Sequence, residues 1–341
     1  NPGGANESAL ASLLLSKLSE PFLVGQYDIA LSASIGTASF PYDTTDGPHL
    51  LNQADLALYA AKKSGRNRSV CFDESMKHGQ QKRMIVTERL RHAVQTDQIV
   101  PFYQPQHCAQ TQQIIGFEAL ARWTDPQLGV VGPDLFIPIA EETGLIQEIG
   151  RSLLLAACKD ALTWRTTPGT PPPRLCVNVS PVQVMRGDVI GVVKSALDLS
   201  GLPPARLEVE VTEGVLIDDM NSTREVLHAL SSLGVGIALD DFGTGYSSLS
   251  YLRALPLHRL KIDRSFIADL DSPEAQSVVQ TIIDLCRRLD LTVIAEGVET
   301  AAHVKALADM QCDMLQGYYF SRPLRAEDVQ TFIDLQSADA A

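Results

Sequence analysis

From Val100 onward, short apolar runs of β character alternate with longer segments whose apolar residues recur at helical spacing. The strand-like runs end near Gln104, Arg122, Ser180, Thr212, Asp241, Asp263, Glu296 and Tyr319. Helical patterns lie between most of them, among them Ser152–Trp164, Val189–Leu199, Ser222–Leu233 and Ala275–Leu289. Eight strands separated by helices predict a closed α/β barrel rather than an open sheet, and the alternation alone reads as all-parallel. The stretch before Val100 has a different rhythm. Ala9–Leu18 is helical, Ile29–Phe40 alternates as a strand around Gly36, and Leu50–Ser64 is an amphipathic helix stopped by Gly65. So few short elements cannot bury much surface, so residues 1–75 read as part of a domain. Residues 76–97 read as a solvated connecting helix, and 98–341 as the barrel.

The same alternation places chemistry. Residues i and i+2 of a strand face one way, so Glu118, Leu120 and Arg122 oppose Phe117, Ala119 and Ala121. Likewise Asn178 opposes Val177 and Val179, Glu208 and Glu210 oppose Val209 and Val211, and Lys261 and Asp263 oppose Ile262. Polar groups thus face inward near strand C-termini, the end at which an α/β barrel assembles its active site. One carboxylate at a strand end is ordinarily a helix cap. Glu118, Asn178, Glu210, Asp240, Asp241, Lys261, Glu296 and Gln316 together, from seven strands, are not explained that way.

Asp240-Asp241 is the sharpest pair, between the apolar run Val235–Leu239 and the turn Gly243-Thr244-Gly245. Carboxylates ~4 Å apart repel by roughly 4 kcal/mol at an effective dielectric of ~20, so one must protonate or a cation must lie between them. The alternative is an Asx-type turn. An all-oxygen set of Glu118, Asn178, Glu210 and this pair suits Mg²⁺ or Mn²⁺ rather than zinc. Two such ions ~3.5–4 Å apart are the usual apparatus for phosphodiester hydrolysis. Lys261 then orients water or forms an ion pair with Glu299, and Arg122 holds a phosphate oxygen or pairs with a neighbouring acid.

Composition narrows the ligand. A net charge of −13 over 341 residues argues against a nucleic-acid polymer as partner, but not against a small phosphate ester bridged by cations. The six cysteines are scattered without a CxxC pair, as in reduced cytosolic proteins. No apolar run approaches the ~18 residues of a membrane span. The chain reads as cytoplasmic, with its parent open to tethering at the inner membrane by upstream segments.

In this order the motifs closely resemble the EAL-domain family of bacterial cyclic di-GMP phosphodiesterases, from about Gln95 to the C-terminus. They are Glu118-Ala119-Leu120-Ala121-Arg122-Trp123, Phe136-Ile137-Pro138, Asn178-Val179-Ser180, Glu210-Val211-Thr212-Glu213, Asp240-Asp241-Phe242-Gly243-Thr244-Gly245, Lys261-Ile262-Asp263, Ala295-Glu296-Gly297-Val298-Glu299 and Gln316-Gly317-Tyr318. The resemblance implies a (β/α)₈ TIM-like barrel with an antiparallel first strand. It also implies hydrolysis of cyclic di-GMP to linear pGpG with two Mg²⁺ or Mn²⁺ ions. It assigns Glu118, Asn178, Glu210, Asp240 and Asp241 as metal ligands and Glu296 as ligand or general base. Lys261 becomes the water-orienting lysine, with Glu299 as its partner. Glu213 becomes the brace of the Asp240–Ser248 loop, which is linked to homodimerisation. Gln104, Leu120, Arg122, Asp263 and Gln316 fall on substrate-contacting or site-lining positions. A catalytically silent cyclic di-GMP receptor is the runner-up, although such members have usually lost ligands that this chain keeps. Residues 1–75 resemble the C-terminal, α+β part of a GGDEF diguanylate cyclase domain, through Ser34-Ile35-Gly36, the run Ala54–Lys62 and Gly65-Arg66-Asn67. The Gly-Gly-Asp-Glu-Phe signature is absent, since Gly3-Gly4 is followed by Ala5-Asn6. Upstream sensor or GGDEF residues, and a bifunctional parent enzyme, are the corresponding expectations.

Overall fold

A computed structural model of the chain describes residues 4–25, 27–40, 43, 46–166, 170–215, 220–243 and 249–339. These fall into two units, Asn1–Glu88 and Arg89–Ala341. No helix among the described residues is long and apolar enough to cross a membrane, and all six cysteines are free.

In the first unit, helix α1 (Gly4–Leu18) precedes an antiparallel hairpin of β1 (Phe22–Val24) and β2 (Tyr27–Ile29). Strand β3 (Ile35–Thr37) pairs in parallel with β4 (Ser69–Cys71), and α2 (Gly47–Lys63) lies between them in sequence. The strand expected over Ile29–Phe40 is therefore only partly formed. β3 has β4 as its one ladder partner among the described residues, and residues 30–34 belong to no strand. Gly36 is required where α2 crosses β3, because a Cβ there would lie 2.1 Å from Leu58 N and 2.2 Å from Ala54 O. The core is small: Leu56, Ala57 and Phe72, with Ala38, Val70 and Met76 against them. Helix α3 (Glu74–Gln95) follows, where helical spacing predicts it.

The second unit is a closed barrel. Its strands are β5 (Ile99–Cys108), β6 (Ile114–Asp125), β8 (Arg174–Asn178), β9 (Leu207–Thr212), β10 (Gly236–Phe242), β11 (Arg259–Ile262), β12 (Thr292–Ala295) and β13 (Met314–Gln316). They pair in the order β5-β13-β12-β11-β10-β9-β8-β6, and β6 closes the ring on β5. A short strand, β7 (Gly129–Val131), adds to β6.

β5 is antiparallel to both neighbours, and the remaining barrel pairs are parallel. The all-parallel reading is thus corrected, for a local reason. Residues 109–113 are too few for a crossover and can join only antiparallel strands, with Gln112 taking φ +55° in the turn. Helices α4 (Pro133–Thr143), α5 (Ile146–Thr163), α6 (Pro181–Arg186), α7 (Val189–Ser200), α8 (Met220–Ser232), α9 (Leu249–Ala254), α10 (Arg264–Ala268), α11 (Pro273–Arg288), α12 (Ala301–Asp309) and α13 (Ala326–Asp339) follow the strands.

Outward strand residues such as Val177, Val209, Ile237, Leu239, Leu260 and Val293 form one core with Leu154, Ala157, Val193, Leu227, Val279 and Ile283 of the helices. Each fully buried aliphatic side chain there contributes about 1.5–3 kcal/mol. The inward positions are polar instead, where such barrels ordinarily carry branched aliphatics.

Candidate active site

The inward side chains meet around Lys261, which is 1% exposed. Its Nζ donates to Glu210 Oε2 at 2.6 Å and to Glu296 Oε1 at 2.7 Å, with Asp240 Oδ2 at 3.3 Å and Glu118 Oε2 at 3.5 Å. Glu299 is not among the ion partners of Lys261 in the described residues. It is exposed, and its backbone N–H points to His303 Nδ1 at 3.5 Å. The Lys261–Glu299 pairing read from the sequence therefore does not form here, because four carboxylates from other strands surround the ammonium first.

Two carboxylate trios, Glu118–Glu210–Asp240 and Asp240–Asp241–Glu296, each bring one oxygen per residue within 4.8 Å of the others, and they share Asp240. Successive residues of a regular strand face opposite ways, so Asp240 and Asp241 could not both join on an extended chain. Asp241 takes φ +55° and the β10–β11 register shifts between Leu239 and Phe242. This left-handed break turns both carboxylates to one side. Gly243 follows at φ +95°, where a Cβ would strike the Phe266 ring at 2.8 Å.

Electrostatics show how crowded this space is. Burial pushes the Glu210 carboxyl well above the usual range, with Glu118 and Asp240 adding to it against Lys261. Burial, then Asp240 and Asp263, raises Asp241. Glu296 is pushed up to about 8, mainly by burial and despite Lys261. Burial works against Glu118 too, but Lys261 and hydrogen bonds from Gln316 and Asn178 outweigh it and hold that carboxyl below its ordinary value. Burial opposes the Lys261 charge, yet Asp240, Glu118, Glu210 and Glu296 together hold its pKa well above normal. Five carboxylates thus share this space with one ammonium, and Glu210 Oε1 is buried without a hydrogen-bond partner. Oxygen donors in excess, with an orphaned lone pair among them, fit hard divalent cations.

Neighbouring residues complete the site. Asn178 Nδ2 donates to Glu118 Oε1 and Gln316 Nε2 to Glu118 Oε2, both at 2.5 Å. Gln316 Nε2 also reaches Gln104 Oε1 at 3.3 Å, and Gln104 Nε2 donates to Ser321 O at 3.3 Å. The Glu213 carboxylate accepts from Gly243 N at 3.1 Å, and Glu213 N donates to Asp240 O at 3.2 Å, which ties β9 to the start of the loop after β10. Residues 244–248 of that loop lie outside the described residues. Asp263 caps α10, accepting from Ser265 N at 3.0 Å and Ser265 Oγ at 2.5 Å. Arg122 donates to Ala121 O at 2.9 Å, lies 6.0 Å over the Phe102 ring and has no carboxylate partner among the described residues. A mostly apolar cavity of about 310 Å³ has Leu120, Arg122, Ile137, Asn178 and Ser180 in its wall but none of the five carboxylates, so it meets the cluster only through Asn178.

Beneath this layer lies a second one, Gln106, Cys176, Glu208 and Arg259, all buried, of which the strand alternation singles out only Glu208. Each sits two residues before or after a recognised site residue on its strand. The i, i+2 rule that placed Asn178, Glu210 and Lys261 extends to Cys176, Glu208 and Arg259 directly, and from Gln104 to Gln106. Arg259 Nη1 donates to Glu208 Oε2 in a buried ion pair. Burial, reinforced by Glu208 and Glu210, pushes the Cys176 thiol well up, so it is present as S–H.

Comparison with known proteins places this geometry. The EAL domain profile matches residues 87–323, and that of the diguanylate cyclase GGDEF domain matches residues 3–68. The chain belongs to the EAL-domain family. Its EAL barrel is preceded by part of a GGDEF domain. The chain is 40% identical over 334 residues to the signaling protein YkoW of Bacillus subtilis, covering 98% of this chain and 42% of YkoW. It is 40% identical over 327 residues to the bifunctional diguanylate cyclase/cyclic di-GMP phosphodiesterase MucR of Pseudomonas aeruginosa, covering 95% of this chain and 47% of MucR. The chain thus spans less than half the length of these relatives. The solved MucR phosphodiesterase, in complex with c-di-GMP, superposes with a TM-score of 0.68 at 41% identity, covering 72% of this chain and 99% of that one.

Proposed function

We propose that the EAL barrel hydrolyses cyclic di-GMP to linear pGpG, using two divalent cations, Mg²⁺ or Mn²⁺. The observation that carries this reading is the pair of carboxylate trios sharing Asp240 at the C-terminal face of the barrel. The names of two relatives support the substrate: MucR, and the cyclic di-GMP phosphodiesterase NbdA of Pseudomonas aeruginosa, 37% identical over 333 residues. Glu118, Glu210, Asp240, Asp241 and Glu296, with Asn178 Oδ1, would hold the cations. When bound, these supply the charge that activates water and stabilises both oxygens exchanging at phosphorus.

The chain's own groups do the rest. Lys261 holds Glu210 and Glu296 in place and offers an ammonium proton to the water or to developing negative charge. Water adds to one phosphorus, the P–O3′ bond breaks, and the released 3′-oxygen takes a proton. Glu296, raised towards neutrality by burial, is suited to exchange protons with water as general base if it is not committed to a cation. Arg122, already aligned over Phe102, is free to bind a phosphate oxygen, and the apolar cavity beside Leu120 and Ile137 suits a nucleobase. Gln104 and Gln316 present amides at the same edge. Glu213 anchors the loop that begins at Asp240, and through it we place a homodimer contact of the EAL domain. We place the barrel in the cytoplasm, a reading that its six free cysteines support.

The test is chromatography of the nucleotide products formed by the purified chain with Mn²⁺. Conversion to pGpG, abolished by EDTA and by Glu118→Ala, is expected. Tight binding of cyclic di-GMP without turnover would replace the enzyme by a receptor.

A further inference from the structure

The layer beneath the cluster carries a hydrogen-bond chain with a fixed direction. Glu118 Oε2 can only accept, so Gln316 must present its NH₂ there, at 2.5 Å. The Gln316 carbonyl then faces Gln106 and takes a hydrogen bond from Gln106 Nε2 at 2.9 Å. That turns Gln106 Oε1 towards the Cys176 thiol at 3.4 Å, the shorter of the two contacts open to its one proton, Glu208 Oε1 being the other at 3.7 Å. The thiol is the donor end and Glu118 the acceptor end. Gln106 and Cys176 are 0% exposed and Gln316 is 4% exposed, so water cannot substitute for a missing partner. If the Gln106 amide were lost, the Gln316 carbonyl would be left buried without its donor, and Gln316 would lose the contact that fixes its NH₂ against Glu118. Gln316 would then shift to satisfy its carbonyl and draw the Glu118 carboxylate out of position with it.

We infer that Gln106 is a positioning residue: through Gln316 it holds the Glu118 carboxylate in the orientation that ligates a divalent cation. The inference rests on the reading of Glu118 as a metal ligand. Partners that orient a ligating carboxylate are typically worth about 10- to 100-fold in metal affinity.

The experiment titrates Mn²⁺ into substrate-free protein and follows free Mn²⁺ by its electron paramagnetic resonance signal. Gln106→Met keeps the volume and removes the amide, so a packing role would survive it. It is expected to weaken Mn²⁺ binding by about tenfold or more, with cyclic di-GMP KM at saturating Mn²⁺ unchanged. Gln316→Met should show a similar loss, and the double variant should bind no worse than Gln316→Met alone, because both act on Glu118 through one chain. Additive losses, or wild-type affinity in Gln106→Met, would overturn the proposal. Should Gln106→Met fail to fold, Cys176 decides: Cys176→Ser keeps a donor and should keep affinity, whereas Cys176→Val should lose it. Equal affinities in those two would overturn it as well. Glu118→Gln separates the two readings, since unchanged Mn²⁺ binding there removes the metal-ligand assignment itself.

Discussion

The two units handle apolar surface in opposite ways. In the barrel every strand has two neighbours and both faces are covered, so Val209, Leu227, Ile237, Leu260 and Val279 are fully buried. In the first unit the sheets are pairs of strands with open edges, and Leu13, Leu23, Phe40 and Leu51 are 55%, 74%, 62% and 74% exposed. The barrel is closed, whereas the described residues of the first unit, part of a GGDEF domain, form only strand pairs. Closure permits a second feature, a polar interior. A ring of strands already held by an outer hydrophobic layer can place carboxylates and an ammonium inside. An open two-stranded sheet has no such interior to shield.

That comparison is tested hardest at Lys261. Removing one partner of a buried ion network leaves charges unpaired at a cost of about 3–5 kcal/mol. Lys261→Met should therefore lower the melting temperature of EDTA-treated protein by roughly 10 °C, at ~2–4 °C per kcal/mol for a domain of this size. Added Mn²⁺ should recover most of that loss, since cations then neutralise Glu210, Asp240 and Glu296. Differential scanning calorimetry with and without Mn²⁺ measures both. An equal deficit in the two conditions would mean that the carboxylates are not a cation site.

A smaller effect follows from His107, also inside the barrel unit. It is 0% exposed, stacks on Phe320 with ring centroids 4.1 Å apart, and neither ring nitrogen has a hydrogen-bond partner. Burial lowers its pKa from 6.5 to about 4. The folded state therefore binds the proton less readily than the unfolded state. The neutral ring's contribution is complete above pH ~6.5 and is lost as pH falls towards 4, by about 3 kcal/mol over the window. Urea midpoints measured from pH 7 to pH 4.5 should fall more steeply for wild type than for His107→Phe. Parallel curves would contradict this.

Much of this was legible in the sequence, and the exceptions have physical causes. Period-2 alternation put Glu118, Asn178, Glu210 and Lys261 on inward faces, and they meet there. The same rule would send Asp240 and Asp241 to opposite faces; only the left-handed turn at Asp241 unites them, and although aspartate tolerates that conformation better than most residues, tolerance does not say where the turn falls. Alternation alone makes β5 parallel; the family resemblance implies the antiparallel direction that β5 takes, and the short loop to β6 requires it. Gln106 and Cys176 lie one step below the strand ends and belong to no charged or metal-binding motif, although they share faces with Gln104 and Asn178. Lys261 was paired with Glu299 on motif order, but distance in the fold favours carboxylates from neighbouring strands.

In the first unit the largest single effect should come from Gly36→Ala, because the added methyl would meet α2 backbone rather than a movable side chain. Overpacking of this kind costs about 1–3 kcal/mol. Proteolysis should then cut within the first unit faster, while the barrel melts as before. A matching drop in the barrel transition would show that the two units are not independent in stability.

The weakest prediction completes the contrast. Leu51 lies on α2 at 74% exposure, so replacing it removes little buried surface. Leu51→Gln should change stability by no more than ~0.5 kcal/mol, the range for exposed positions without special features. It should also raise solubility, since an apolar face otherwise invites self-association. Leucines of the barrel core such as Leu227 are the opposite case, with truncation to alanine costing about 2–5 kcal/mol. Thermal melts and light scattering on Leu51→Gln distinguish the outcomes. A loss near the core value would mean that Leu51 is covered in solution, and the open character assigned to the first unit would then be wrong.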